Sequence, residues 1–264
     1  MARIRVLLLV SALIASVAGC GGSGSSHKPN GEEAKSAQQI VTDVSNSLGK
    51  VKSFHLTGSE TDKDGVTTVT GDVGLPGRLQ LSLRNGDATV ELVIIGNDAY
   101  VKANRAFWNK TPGAASLGAL LANKWVKAPS GSTPGLGQFS ALTDPSTIGY
   151  CFVQSHHGSI SKSGTDTVDG KKAVVLVDKG NAPGTTPGKL YVATTGDPLP
   201  LRAMQTGPQA PGGTPDARCH ETKDDVNSTT RFSDLRLSNY DAKVQIEAPP
   251  GAVDLTQLSG GTSS

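Results

Sequence analysis

The chain has 264 residues, of which 36% are hydrophobic and only 4% aromatic, and carries 25 basic against 23 acidic side chains. Residues 1–19 hold Arg3 and Arg5 and no acid, so the remainder balances at 23 charges of each sign. With no net charge and no basic–aromatic interleaving, nucleic-acid binding is excluded as a role. The 32 glycines predict many turns around a modest core, in which loss of hydrophobic bulk is felt strongly.

Arg3 and Arg5 precede an apolar run over residues 6–17. That run is too short for a bilayer core, which needs about 20 residues. Small residues then lead to Val17-Ala18-Gly19-Cys20. The layout is that of a secretory signal with a small-residue cleavage site, and the tetrad is a lipobox. Small side chains let an extended backbone enter the peptidase, and the thiol is the nucleophile that receives diacylglycerol. Residues 1–19 are therefore expected to be a signal peptide. Cys20 is expected to carry the lipid, palmitate included, and to anchor the chain on the extracytoplasmic face of the cell membrane. Residues 20–32 form the lipidated cysteine and a Gly/Ser-rich flexible linker. Residues 21–31 would reach roughly 35–40 Å at about 3.5 Å per residue.

Residues 33–256 suit one domain, with residues 257–264 as a disordered tail. Ala34, Ala37, Ile40, Val41, Val44 and Leu48 fall on one helical stripe. Asn30 with Glu33 predicts its capping box, and Gly49-Lys50 its end. After it, Asp64-Gly65, Asn85-Gly86, Asn97-Asp98, Asp169-Gly170 and Gly196-Asp197 punctuate alternating runs. Phe54 and Leu56 share one face; so do Leu79, Leu81 and Leu83, and so do Val90, Leu92 and Ile94. Further runs cover residues 173–177, 190–193 and 199–204, with a final pair across 230–237 and 242–246. Short hairpins between alternating strands mean an antiparallel meander with one apolar face. The expected fold is α+β: a strongly curved antiparallel β half-barrel with helices covering the concave face. Residues 114–121 and 137–142 read as short apolar helices over that face. Core packing is enough to explain them; a lid over a cavity is the functional alternative.

Cys151 and Cys219 are the remaining cysteines, and a lone pair in an exported chain reads as a disulfide. His156, His157 and His220 lie nearby in sequence, but no CxxC, HExxH or paired-ligand spacing supports a metal. No GxSxG elbow is present. Gly184-Thr185-Thr186-Pro187-Gly188-Lys189-Leu190 has three residues between its glycines where a phosphate loop needs four, and Leu where Ser or Thr should follow the Lys. Asp62-Lys63-Asp64-Gly65 lacks the closing glutamate of a calcium loop. Asn109-Lys110-Thr111 and Asn227-Ser228-Thr229 fit a glycosylation sequon that carries little weight beside a bacterial lipobox. The sequence calls for no cofactor and no catalytic residue.

The lipobox, the single opening helix, the run Lys172-Ala173-Val174-Val175-Leu176-Val177, the stretch from Gly188-Lys189-Leu190-Tyr191-Val192-Ala193 to Gly196-Asp197-Pro198-Leu199-Pro200-Leu201-Arg202, and the closing Phe232-Ser233-Asp234 with Val244-Gln245-Ile246-Glu247-Ala248-Pro249-Pro250 together carry a resemblance. The chain resembles the LppX–LprG group of actinobacterial lipoproteins, relatives of the LolA/LolB carriers, over roughly residues 33–256. The resemblance implies a half-barrel whose helices cover a hydrophobic cavity for acylated lipids or glycolipids, and a role in lipid transfer. It implies a diffuse apolar lining, for which the candidates are Phe54, Leu56, Leu79, Leu81, Val90, Leu92, Ile94, Leu117, Leu120, Leu121 and Phe139. Cys151 and Cys219 stand outside that pattern. The alternatives are a non-enzymatic sensor or regulatory lipoprotein with an envelope protein partner and, further off, an unrecognised envelope enzyme.

Overall fold

The computed structural model describes residues 28–63, 65–111, 118, 120–129, 137–155, 157–221, 223 and 232–254. The signal segment, Cys20, Leu117 and the tail 257–264 lie outside the described residues.

Helix α1 (Ala37–Leu48) buries Ile40, Val41, Val44 and Leu48, as the stripe requires. Its cap is Ser36, not Asn30. Gln39 N–H donates to Ser36 Oγ, and Ser36 N–H to Gln39 Oε1 at 3.0 Å, a capping box six residues later than the sequence pattern places it. Asn30 is engaged elsewhere: its side-chain amide donates to the carbonyls of Ala193 at 2.9 Å and Gly196 at 3.1 Å. Glu33 pairs with Lys172 at 2.7 Å. A single 3-10 turn, Glu32–Ala34, separates these ties from the helix.

Twelve strands make one sheet: β1 (Ser53–Asp62), β2 (Gly65–Gly74), β3 (Arg78–Asn85), β4 (Ala88–Ile95), β5 (Asp98–Ala103), β6 (Trp125–Pro129), β7 (Ile160–Val168), β8 (Lys171–Asp178), β9 (Gly188–Ala193), β10 (Pro200–Gln205), β11 (Phe232–Ser238) and β12 (Val253–Asp254). The spatial order is β12-β6-β5-β4-β3-β2-β1-β11-β10-β9-β8-β7. Neighbours are antiparallel except β12 against β6, and β12 and β7 are the edges. Among the fully described elements, three further helices are α2 (Arg105–Lys110), α3 (Gly137–Thr143) and α4 (Ile148–Val153). The result is an open, strongly curved antiparallel sheet with helices on its concave face.

Two mid-strand glycines allow close strand approach. A Cβ on Gly71 would lie 2.0 Å from Gln80 O, and one on Gly58 would lie 2.5 Å from both Asp234 O and Leu235 Cδ2. The Leu235 side chain occupies the space that Gly58 leaves. Such interior glycines mark bends in a barrel wall.

The expected second member of the final strand pair, 242–246, is no strand. That segment crosses the convex face, where Val244, Ile246 and Ala252 pack with Val93, Ile95, Tyr100 and Trp125. Arg78 Nη1 donates to Ile246 O at 2.6 Å, holding the strap against the sheet. The β4 run is therefore apolar on both sides. Val93 and Ile95 meet the strap, while Leu92 and Ile94 belong to the main core.

Candidate functional site

Strand register sorts the concave face into rows. Nearest one end of the sheet, here called the base, Phe54, Val73, Leu79, Ile94 and Ala99 lie side by side across β1–β5. All are buried and share one core cluster with the α1 stripe and Ile148 of α4. The next row runs Leu237, Leu56, Gly71, Leu81, Leu92 and Val101. A third crosses nine strands: Leu176, Leu190, Ala203, Leu235, Gly58, Val69, Leu83, Val90 and Ala103. Leu190, Leu235, Val69 and Leu83 in it are only partly buried. Beyond it, Ser233, Glu60, Thr67 and Asn85 form a polar row. From base to mouth the wall thus changes from sealed and apolar, through open and apolar, to polar.

Among the described residues the open part borders two chambers. The larger, of about 490 Å³, is walled by Leu56, Val69, Leu81, Leu83 and Leu235, roofed by Phe139 and Leu142 of α3, and bordered by Glu60, Thr67, Gln205, Gln209 and Ser233. No cationic side chain lines it among the described residues. The smaller, of about 300 Å³, lies beside α4 and includes Val41, Phe152, Ile160, Leu176 and Leu190, with His157, Asp178 and Lys189. Thr186, Gln205, Ser233 and Leu235 border both, so the chambers adjoin. Chambers of this size and lining accept apolar chains and leave polar groups for one end of a ligand.

The predicted lining divides accordingly. Leu56, Leu81 and Phe139 stand at the larger chamber. Phe54, Leu79, Leu92 and Ile94 are sealed core instead, because the α1 stripe packs into the same cluster. Val90 is half-buried outside both chambers, Leu121 is buried and Leu120 is exposed. Alternation identifies which face a residue takes but not its distance from the helix that seals the base. Val69, Leu83 and Leu235 are the wall residues this reasoning missed; the leucine alternation of β3 already put Leu83 on the correct face.

Cys151 of α4 is disulfide-bonded to Cys219, which fastens the 206–221 loop beside the roof. A polar clasp adjoins it. Tyr150 OH donates to Asp216 Oδ2 at 2.8 Å, and the Arg218 guanidinium, 3.9 Å from the Tyr150 ring centroid, donates to both. Hydrogen bonds from Arg218 and then Tyr150 hold the Asp216 carboxyl well below the usual carboxylate range.

Fold and site together define a cavity-bearing half-barrel: one open sheet, a helical roof and an apolar chamber with a polar mouth. The architecture is similar to that of several solved structures. LprF from Mycobacterium bovis is 16% identical over 81% of this chain and 97% of its own, with a TM-score of 0.47. LppX from Mycobacterium tuberculosis is 15% identical over 80% and 99%, with a TM-score of 0.43. MucB in the MucA/MucB complex of Pseudomonas aeruginosa is 13% identical over 81% and 61%, with a TM-score of 0.39. No protein-family model and no curated protein sequence matches the chain.

Proposed function

We propose that this chain is a cell-envelope lipoprotein that holds an acylated lipid in the larger chamber, for transfer rather than for chemistry. The observation that carries the proposal is the graded wall: an open apolar row between a sealed base and a polar mouth. An acyl chain would lie along Val69, Leu83 and Leu235, with its polar end among Glu60, Thr67 and Gln205. Burial of apolar surface at roughly 25 cal/mol per Å² supplies the affinity. The domain would span residues 33–256 and hang from a lipid on Cys20. Among the described residues no helix is long and apolar enough to cross a membrane.

Mass spectrometry of lipid extracted from the purified protein tests the cavity. Stoichiometric acyl lipid is expected, and lipid-free protein that also fails to take up lipid from micelles would sink the proposal. Radioactive palmitate should label the wild type and not Cys20→Ala; equal label in both would overturn the anchor.

A further inference from the structure

The N-terminal segment enters the fold at the base. Gly196 N–H donates to Lys28 O, Pro29 bridges Thr195, and Asn30 N–H donates to Thr194 O at 3.0 Å, all at the β9–β10 turn. Only residues 20–27 therefore separate Cys20 from the sheet, a reach of roughly 28 Å at about 3.5 Å per residue. The wall from base to mouth along the ten residues of β1 is itself about 33 Å. The tether is thus shorter than the wall, so a lipid on Cys20 holds the base toward its own membrane and does not let the mouth turn onto it.

The mouth end carries apolar surface that the base lacks. Val66 (53% exposed) and Leu120 (58%) are the exposed large hydrophobics among the described residues. Val66 pairs with Thr61 at the tip of the β1–β2 hairpin. Leu120 is held close to the mouth end of β5, where Asn123 N–H donates to Ala103 O at 2.8 Å. Phe107 and Trp108 of α2 stack edge-on at the same end, 5.3 Å between centroids and both half-buried, and Arg105 beside them is exposed. Exposed aliphatic side chains such as Val66 and Leu120 gain by leaving water for a bilayer, and a nearby exposed cation such as Arg105 favours anionic lipid.

We propose that this mouth rim docks on a lipid bilayer other than the one that holds the anchor, so that cargo passes in trans. The proposal rests on the lipid-cavity reading and on lipidation of Cys20. Trp108 and Trp125, the chain's two tryptophans, report on it, since β5–β6 pairing places Trp125 opposite Lys102 at the same end. The lipidated chain is placed in phosphatidylcholine host vesicles and mixed with vesicles that contain a minor fraction of phosphatidylglycerol. Brominated lipid is confined to one population at a time. Tryptophan quenching is expected from brominated lipid in the added vesicles and not from the host. Quenching from the host alone, or from neither, overturns the proposal. Val66→Ser combined with Leu120→Ser should lose most of the trans quenching at an unchanged thermal midpoint; full retention overturns the assignment of the rim. Acyl lipid measured in the same samples separates the two readings, because lipid retained without trans quenching removes the docking alone.

Discussion

Gly149 meets the backbone of Ser45 so closely that a Cβ there would sit 2.0 Å from the Ser45 carbonyl oxygen. Helices α4 and α1 therefore cross in backbone contact, and α4 is fixed at the height that lets Phe152 border the smaller chamber. Gly149→Ala must push the helices apart. A loss of about 1–3 kcal/mol is expected, as for other insertions into close packing. Urea unfolding measures it, and an unchanged midpoint would mean that the helices separate freely.

Two leucines on one strand should respond oppositely to added bulk. Leu83 borders the larger chamber, whereas Leu79 is fully buried in the base row. Leu83→Trp has space to enter and should leave the melting temperature nearly unchanged while displacing bound lipid. Leu79→Trp should cost about 1–3 kcal/mol or more. Equal destabilisation by both, measured calorimetrically, would show the chamber to be ordinary core.

That contrast also marks how far the sequence alone reaches. Strand alternation located the concave face, and the α1 stripe announced which helix would lie on it. Distance along a strand is another matter: Leu79 and Leu83 share a face, a residue type and a period. Only the position of α1 and α4 over the base separates core from cavity wall. The misplaced cap has a similar cause. Asn30 carries a good capping residue type, but its partners at Ala193 and Gly196 are more than 160 residues away. The 242–246 segment alternates like a strand because the convex face buries Val244 and Ile246 on one side, although it joins no ladder.

The disulfide closes a separation of 68 residues. Chain-entropy reasoning assigns such a loop roughly 4 kcal/mol. Reduction by a phosphine should lower the unfolding free energy by about that much, and Cys151→Ser with Cys219→Ser should reproduce the loss. A reduced protein as stable as the oxidised one would show that the roof is held by packing alone.

On the convex face Arg202 pairs in a bidentate manner with Asp234, at 2.7 and 2.5 Å, with both side chains mostly shielded. The guanidinium hydrogen bonds lower the Asp234 pKa below its ordinary value of 3.8. A depressed folded pKa gives stability that is complete above 3.8 and is lost as pH falls through the lower folded value. Arg202→Gln should reduce stability at neutral pH and flatten its decline below about pH 4. Denaturant melts of both proteins across that range check it, and parallel pH profiles would show that the pair contributes nothing there.

The pairing of β1 with β11 joins two meanders that, among the described residues, otherwise share no ladder, β2–β6 on one side and β7–β10 on the other. The seam brings together residues as far apart as His55 and Ser238. Such non-local closure is slow, because a long loop must be ordered before any contact rewards it. Until β11 emerges, β1 and β10 are both raw edges, open to pairing with other chains. A premature stop anywhere before residue 232 would thus yield two unfinished half-sheets instead of a shortened half-barrel. Newly made chains are open to such pairing over just that interval.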